Sequence, residues 1–294
     1  DTIENAATYK FMEHEDRFEL SDKWILSRYN KLIKDITQNI ENYKLNDAVS
    51  NLYSFFWHEY CDWYLELIKP RLYGENSEEK KTALEICLFI QRGIVKLLHP
   101  FIPFITEEIW HHIKTEGEAD LIVEEWPTHD ESLFNDEAED NLFILQQVIG
   151  SVRNIRGEMN VPPNKKAKLL IKGDTNELIE QNDIYIKSLS QVDDIEMGND
   201  IEKPKYAASA IVKNMEIFIP LEGLIDIEVE RNRLEKEVAR LEKQIESNEK
   251  KLMNKDFLNK APKNVIERER RKSQDWQENL EKLKANLESL TNSD

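Results

Sequence analysis

The chain has 294 residues, with 40 Lys and Arg against 58 Asp and Glu, a net charge of −18 that is poor for a polyanion-binding surface over the whole molecule. Apolar residues at 40% support a real core in part of the chain, and no run of about eighteen of them offers a membrane span. Two or three domains are expected at this length, and a charged share of 33% with only eight Gly and nine Pro fits long exposed helices with few loops.

Residues 1–20 are acidic and weakly patterned and read as a tether. The N-terminus, Asp1-Thr-Ile-Glu-Asn5, has neither Met nor a signal peptide, so the chain reads as a piece of something longer. Ser21 is expected to cap a helix, with Asp22 in its first turn. Trp24, Ile25, Tyr29, Leu32, Ile33, Ile36 and Ile40 form its apolar stripe. A second helix is predicted from about Asn46 to Lys69, ended by Pro70, and it is rich in aromatics from Tyr53 to Tyr64. Most of these are expected in the core, Phe56 and Trp63 among them. Base stacking is the alternative use of such a helix. Ser77 opens a third helix through Leu98. Pro100 and Pro103 break the chain before a fourth helix around Thr106–Trp110. Leu121–Val123 reads as a short extended piece, with a turn at Trp126-Pro127, and a further helix runs from about Glu137 to Met159. These helices compose an up-and-down bundle.

Pro162-Pro163 marks a boundary, and the period then changes. Ala167–Ile171 and Val192–Met197 read as strands, with one or two helices over 176–190 between them. Ser209–Lys213 and Glu216–Ile219 read as a hairpin around Asn214-Met215. From Leu234 the apolar residues Leu234, Val238, Leu241, Ile245 and Leu252 open with coiled-coil spacing. A second seam runs Trp276, Leu280, Leu283, Leu287, Leu290. Asn254–Pro262 is too polar and broken for one continuous helix, and Pro262 fits the first position of the next. Each arm of about thirty residues spans roughly 45 Å at 1.5 Å per residue. The expected fold class is therefore mainly α. It comprises a tether (1–20), a helical bundle (21–160), a small α/β module (161–223) and a long antiparallel coiled-coil hairpin (224–294).

Charge is distributed unevenly. Residues 225–294 hold sixteen bases and sixteen acids, so residues 1–224 carry the whole deficit. The window 250–272 holds nine bases, Lys250, Lys251, Lys255, Lys260, Lys263, Arg268, Arg270, Arg271 and Lys272, against Asp256, Glu267 and Glu269, a net of +6. A cationic tip on an acidic protein points to a polyanion site. A solvated coiled-coil face is the alternative. Arg153 and Arg156, three apart before the Pro-Pro loop, have the geometry to grip a phosphate or another domain. A helix end favoured by its dipole is the competing account.

No Gly-rich phosphate loop, zinc-spaced Cys/His set or Ser/His/Asp arrangement is legible. His111 and His112 are adjacent and diverge on a helix, a poor chelate. Cys61 and Cys87, both in apolar helical stretches, read as reduced residues of a cytosolic protein.

Several segments carry a family resemblance. Trp57–Pro70 is similar to the signature helix of the anticodon-binding domain in the valyl-tRNA synthetase family. Leu97–Trp110 resembles the next segment, shared with the leucyl and isoleucyl class I relatives. Val152–Pro163 looks like the helix entering the C-terminal module. Pro220–Asp226, the charged coiled coil and its tip Asp256–Pro262 are similar to the C-terminal arm. The family's two catalytic signatures, its editing domain and the opening helix of its bundle are absent from these residues.

The resemblance implies a tRNA-binding C-terminal portion, inactive alone, of an enzyme that attaches valine to its tRNA using ATP. In that picture the bundle approaches the anticodon through a few local bases, with Arg28, Lys31, Arg71, Arg153 and Arg156 as candidates. The arm reaches the outer corner of the tRNA, where the nine tip bases meet phosphates and 2′-hydroxyls. It further implies no cofactor held by these residues, valine tRNA and the parent's catalytic domain as partners, a cytoplasmic monomer and no membrane. Two rival readings are a coiled-coil module that docks a protein and a coiled coil that dimerises.

Overall fold

The computed structural model describes residues 10–173 and 177–291. The N-terminal nine residues of the expected tether, and Asn176, lie outside the described residues. Two compact units divide the chain, 1–146 and 147–294.

In the first unit, Lys10–Arg17 winds into 3-10 turns instead of trailing as a tether. The reason is Phe11, which is buried with its ring 5.2 Å from that of Phe89. Helix α1, Leu20–Glu41, begins one residue before the expected cap Ser21. The cap is Glu19, in a capping box with Asp22. Six of the seven stripe residues read from the sequence are fully buried on α1; Ile40 is half-buried. Tyr29 lies edge-on to Phe89 and within 6.2 Å of the Phe55 ring. A Cβ at Gly93 would fall 1.5 Å from the Tyr29 hydroxyl, so glycine is what admits that ring against the helix α3 (Ser77–Leu98).

The aromatic helix is not one α-helix. Helix α2, Leu45–Ser54, passes into a π-helical stretch, Phe55–Tyr64, then a short α turn, Leu65–Leu67. The wider i→i+5 winding resets which aromatics face inward. Phe55, Tyr60 and Tyr64 are the buried ones. Phe56 and Trp63, expected in the core, are only half-buried, and Tyr53 and Trp57 are exposed. Pro70 does not end this helix; it sits in the first turn of a further segment, Lys69–Tyr73. Helix α3 is capped by Asn76, whose side chain accepts from the Glu78 N–H at 3.1 Å. Helix α4 covers Pro103–Ile113. Leu121–Val123 is a 3-10 turn and not an extended piece; Leu121 is buried with Val95 and Trp110. Trp110 donates its indole N–H to the Ala119 carbonyl at 3.0 Å, which holds that loop. Helix α5, Asp136–Glu158, begins in the first unit and ends in the second.

The second unit contains a four-stranded sheet in the order β2-β1-β4-β3. Strands β1 (Ala167–Lys172) and β2 (Val192–Gly198) are parallel and therefore need a helical crossover. Glu177–Gln181 and helix α6, Asp183–Ser190, supply it. Strands β3 (Ala207–Val212) and β4 (Met215–Pro220) form the hairpin. Its turn is Lys213-Asn214, with Lys213 at φ 52, so the predicted turn lies one residue late. The arm follows: helix α7 (Ile227–Met253), a short α8 (Lys255–Lys260) and α9 (Lys263–Thr291), which runs against β3 at its root.

Candidate nucleic-acid interface

The arm is built from sequence signals that the structure places in register. Asp226 caps α7 by accepting the Val229 N–H at 3.1 Å. Leu234, Val238, Leu241 and Ile245 are buried, as the coiled-coil spacing requires. Of the α9 seam residues only Leu290 is fully buried; Trp276, Leu280, Leu283 and Leu287 are half-covered.

The root of the arm is clamped by polar contacts. Buried Glu230 accepts from Arg233 at 2.6 Å and from Asn160 Nδ2 at 3.2 Å. Arg233 also donates to the Glu158 carbonyl at 3.2 Å, and Asn286 Nδ2 donates to the Glu158 carboxylate at 3.0 Å. The lever is therefore tied at both its helices to the end of α5.

At the other end, Asn254 caps α8 by accepting the N–H of Asp256 at 2.9 Å. Pro262 lies at the cap of α9, one place before the position expected for it; its carbonyl accepts from Val265 and Ile266. The nine tip bases fall into two groups. Lys250 pairs with Glu246 at 2.5 Å, Lys260 with Asp256 at 3.7 Å, and Lys251 and Lys272 with Glu269 at 3.3 and 3.6 Å. Lys251 also lies over the Phe257 ring, 4.9 Å from its centroid. Hydrogen bonding to Lys251 is the main reason the Glu269 carboxyl is held below its ordinary range. Lys255, Lys263, Arg268, Arg270 and Arg271 are exposed and have no ion-pair partner among the described residues. Of the three acids in this window, Glu267 alone has no ion-pair partner among the described residues. Exposed i,i+4 pairs such as Lys250–Glu246 are weak and exchange readily.

The candidate bases of residues 1–160 are placed otherwise. Arg71 is 5% exposed and forms a bidentate pair with the fully buried Asp22, at 2.6 and 2.7 Å. Tyr64 donates to the same carboxylate at 3.1 Å. Arg71 therefore holds α1 to the Lys69–Tyr73 segment and presents no face to RNA. Arg28 is held by Glu59 at 2.6 and 2.8 Å and by Glu139 at 3.3 Å. Lys31 pairs with Asp136 at 2.6 Å and Glu139 at 2.9 Å. The groove these two line also contains Lys34, Asp35 and Glu59, so its charges are mixed.

Within the second unit, Arg156 is buried and donates to the carbonyls of Pro162, Lys165 and Gln191 at 2.9 to 3.3 Å. It closes the Pro-Pro loop and has no face left for a phosphate, whereas Arg153 is exposed and donates its Nε to the Leu189 carbonyl at 2.7 Å.

The structure also uses Asn248, which sequence reasoning passed over. It occupies the seam between Ile245 and Leu252 and is 5% exposed. The three-then-four step through 245, 248 and 252 was the signal available. One possible metal-ligand group exists among the described residues: Glu107, His111 and Asp120, with ligand atoms within 4.8 Å of one another. Asp120 there is already matched by Lys114 at 3.0 Å, so its charge has a protein partner.

Comparison with known proteins gives two family matches. Residues 22–171 match the anticodon-binding domain of tRNA ligase, and residues 226–291 match the valyl tRNA synthetase tRNA binding arm. The chain is 42% identical over 301 residues to the valine–tRNA ligase of Bacillus thuringiensis subsp. konkukian, covering 98% of this chain and 34% of that protein. It is 43% identical over 274 residues to the Bacillus cereus enzyme (92% and 31%) and 38% over 286 residues to that of Oceanobacillus iheyensis (96% and 32%). The chain thus spans about a third of the length of these relatives.

Proposed function

Because the chain belongs to the tRNA ligase anticodon-binding family and corresponds to the C-terminal portion of valyl-tRNA synthetases, we propose that it binds valine tRNA chiefly through the tip of its arm. The single observation that carries this reading is the set of five exposed cations, Lys255, Lys263, Arg268, Arg270 and Arg271, at the end of the lever, none with an ion-pair partner among the described residues. Lys250 and Lys260 stand beside them in weak surface pairs. The partner surface is the outer corner of the tRNA, read by charge and shape through phosphates and 2′-hydroxyls.

The bundle contributes position more than charge, since Arg28, Lys31 and Arg71 are matched by neighbouring acids and Arg156 is buried against backbone carbonyls. In its parent the chain serves an enzyme that attaches valine to tRNA with ATP as substrate, and the parent's catalytic domain is its second partner. Isolated, it neither activates valine nor holds a cofactor. The functional division is a bundle (21–160), a small α/β module (161–223) and an arm (224–294), in a cytoplasmic monomer. No helix is long and apolar enough to cross a membrane among the described residues.

The test is a titration of the 294-residue chain with a valine tRNA transcript and a non-cognate transcript at several salt concentrations. With about four to six phosphate contacts, log K should fall with log salt at a slope of roughly −3 to −5. Salt-independent binding, or none, would overturn the reading. A protein-docking coiled coil would instead bury apolar surface and show little salt dependence.

A further inference from the structure

A leucine at seam position 248 of α7 would fill the interface and leave no polar atom behind. The chain has Asn248 there, buried to 5% exposure. Its Nδ2 donates to the main-chain carbonyl of Glu269 on α9 at 2.9 Å, and its Oδ1 has no hydrogen-bond partner among the described residues. An unpaired buried acceptor weakens the hairpin. A single polar residue at a seam position is tolerated where it fixes register and orientation at the expense of stability.

What Asn248 fixes is the rotation of α9 at one residue. Glu269 is held three ways. Its carbonyl takes Asn248, and its carboxylate takes Lys251 from α7 at 3.3 Å and Lys272 at 3.6 Å. At about 100° per residue, a helix that turns Glu269 toward α7 sends Arg268 and Arg270 out on opposite sides and turns Arg271 away from α7. These three are the exposed, unpaired arginines of the tip. An apolar seam residue would hold the helices together without this directional tie to the Glu269 carbonyl.

We propose that Asn248 is a positioning residue for RNA binding: its amide locks α9 at Glu269 and so fixes the directions in which Arg268, Arg270 and Arg271 leave the helix to meet phosphates. This rests on the reading that the arm tip binds tRNA. The lock exchanges hairpin stability for a fixed spread of cations.

The experiment compares the full chain with Asn248→Leu, and with Asn248→Ala in case leucine is not accommodated. Thermal melting, amide hydrogen exchange over 244–252 and 264–273, and a salt series with valine tRNA transcript are read for each. Asn248→Leu should melt at or above the wild-type temperature, yet exchange faster over 264–273. Its tRNA affinity should fall about five-fold, with a salt slope shallower by about one contact, 0.7 to 0.9. Exchange as slow as wild type, or slower, overturns the proposal. So does faster exchange with wild-type affinity and slope, which would make Asn248 a structural residue only. If the wild-type chain shows no salt-dependent binding, the tip reading fails instead, and exchange over 264–273 alone decides whether Asn248 locks α9.

Discussion

Arg71 and Arg271 carry the same side chain and are employed in opposite ways. In the bundle, Arg71 is buried against Asp22, and Arg28 and Lys31 are each matched by two acids. At the arm tip, Arg271 and four other bases are exposed without a partner among the described residues. The lesson is that a count of bases does not locate a polyanion site. A cation already paired and buried holds protein elements together, and only one facing water can exchange counterions for phosphates.

The largest effect that tests this contrast is on Arg71. Arg71→Met removes the partner of a fully buried carboxylate and should cost about 3–5 kcal/mol, read by urea denaturation. Adding Asp22→Leu should recover part of that loss, the remainder going with the α1 capping box and the Tyr64 hydrogen bond, and the tRNA salt slope should not move in any variant that still folds. A stable Arg71→Met chain with a shallower slope would erase the distinction between the two regions.

The bundle's core offers a second test of comparable size. Phe55→Ala should cost about 3–5 kcal/mol, as for a buried aromatic, and Phe56→Ala roughly half as much. Equal melting shifts for the two would mean that the π-helical stretch does not set which ring faces inward.

At the tip, replacing Lys263, Arg268, Arg270 and Arg271 with Glu should weaken valine tRNA binding at least about 100-fold, or about 2.7 kcal/mol, and flatten the salt slope by about 3. Circular dichroism should be unchanged, because these positions lie off the seam. Lys250→Glu with Lys251→Glu should do less, about ten-fold, since both lysines are already engaged with acids. If the two sets weaken binding equally, pairing within the tip does not decide which bases contact RNA.

The smallest effect is a titration. Lys251 holds the Glu269 carboxyl below its ordinary range. A depressed folded-state pKa gives stability that is present above the unfolded value and lost as pH falls through the folded one. Carbon-detected NMR should therefore show Glu269 titrating low in the wild type and moving upward in Lys251→Ala. An unmoved titration would remove Lys251 from the contacts that hold α9.

Much of this molecule was legible in its sequence. The 3.6-residue stripe of α1 marked its buried face, and the seam Leu234–Val238–Leu241–Ile245 marked the arm. The change of period after Pro162-Pro163 marked the sheet, and the nine bases between 250 and 272 marked the tip. These are local patterns, each decided within a few turns of chain. The inward ring of the aromatic helix was not legible, because a π-helical stretch changes the period that such a reading assumes.

The pairing of cations was likewise invisible. Arg71 meets Asp22 across 49 residues and Arg28 meets Glu139 across 111, and no spacing rule reaches so far. By itself the sequence determined where the helices, strands and charge would be. Only the tertiary structure decided which of those charges are spent inside the protein, because burial and ion pairing depend on residues that folding alone brings together.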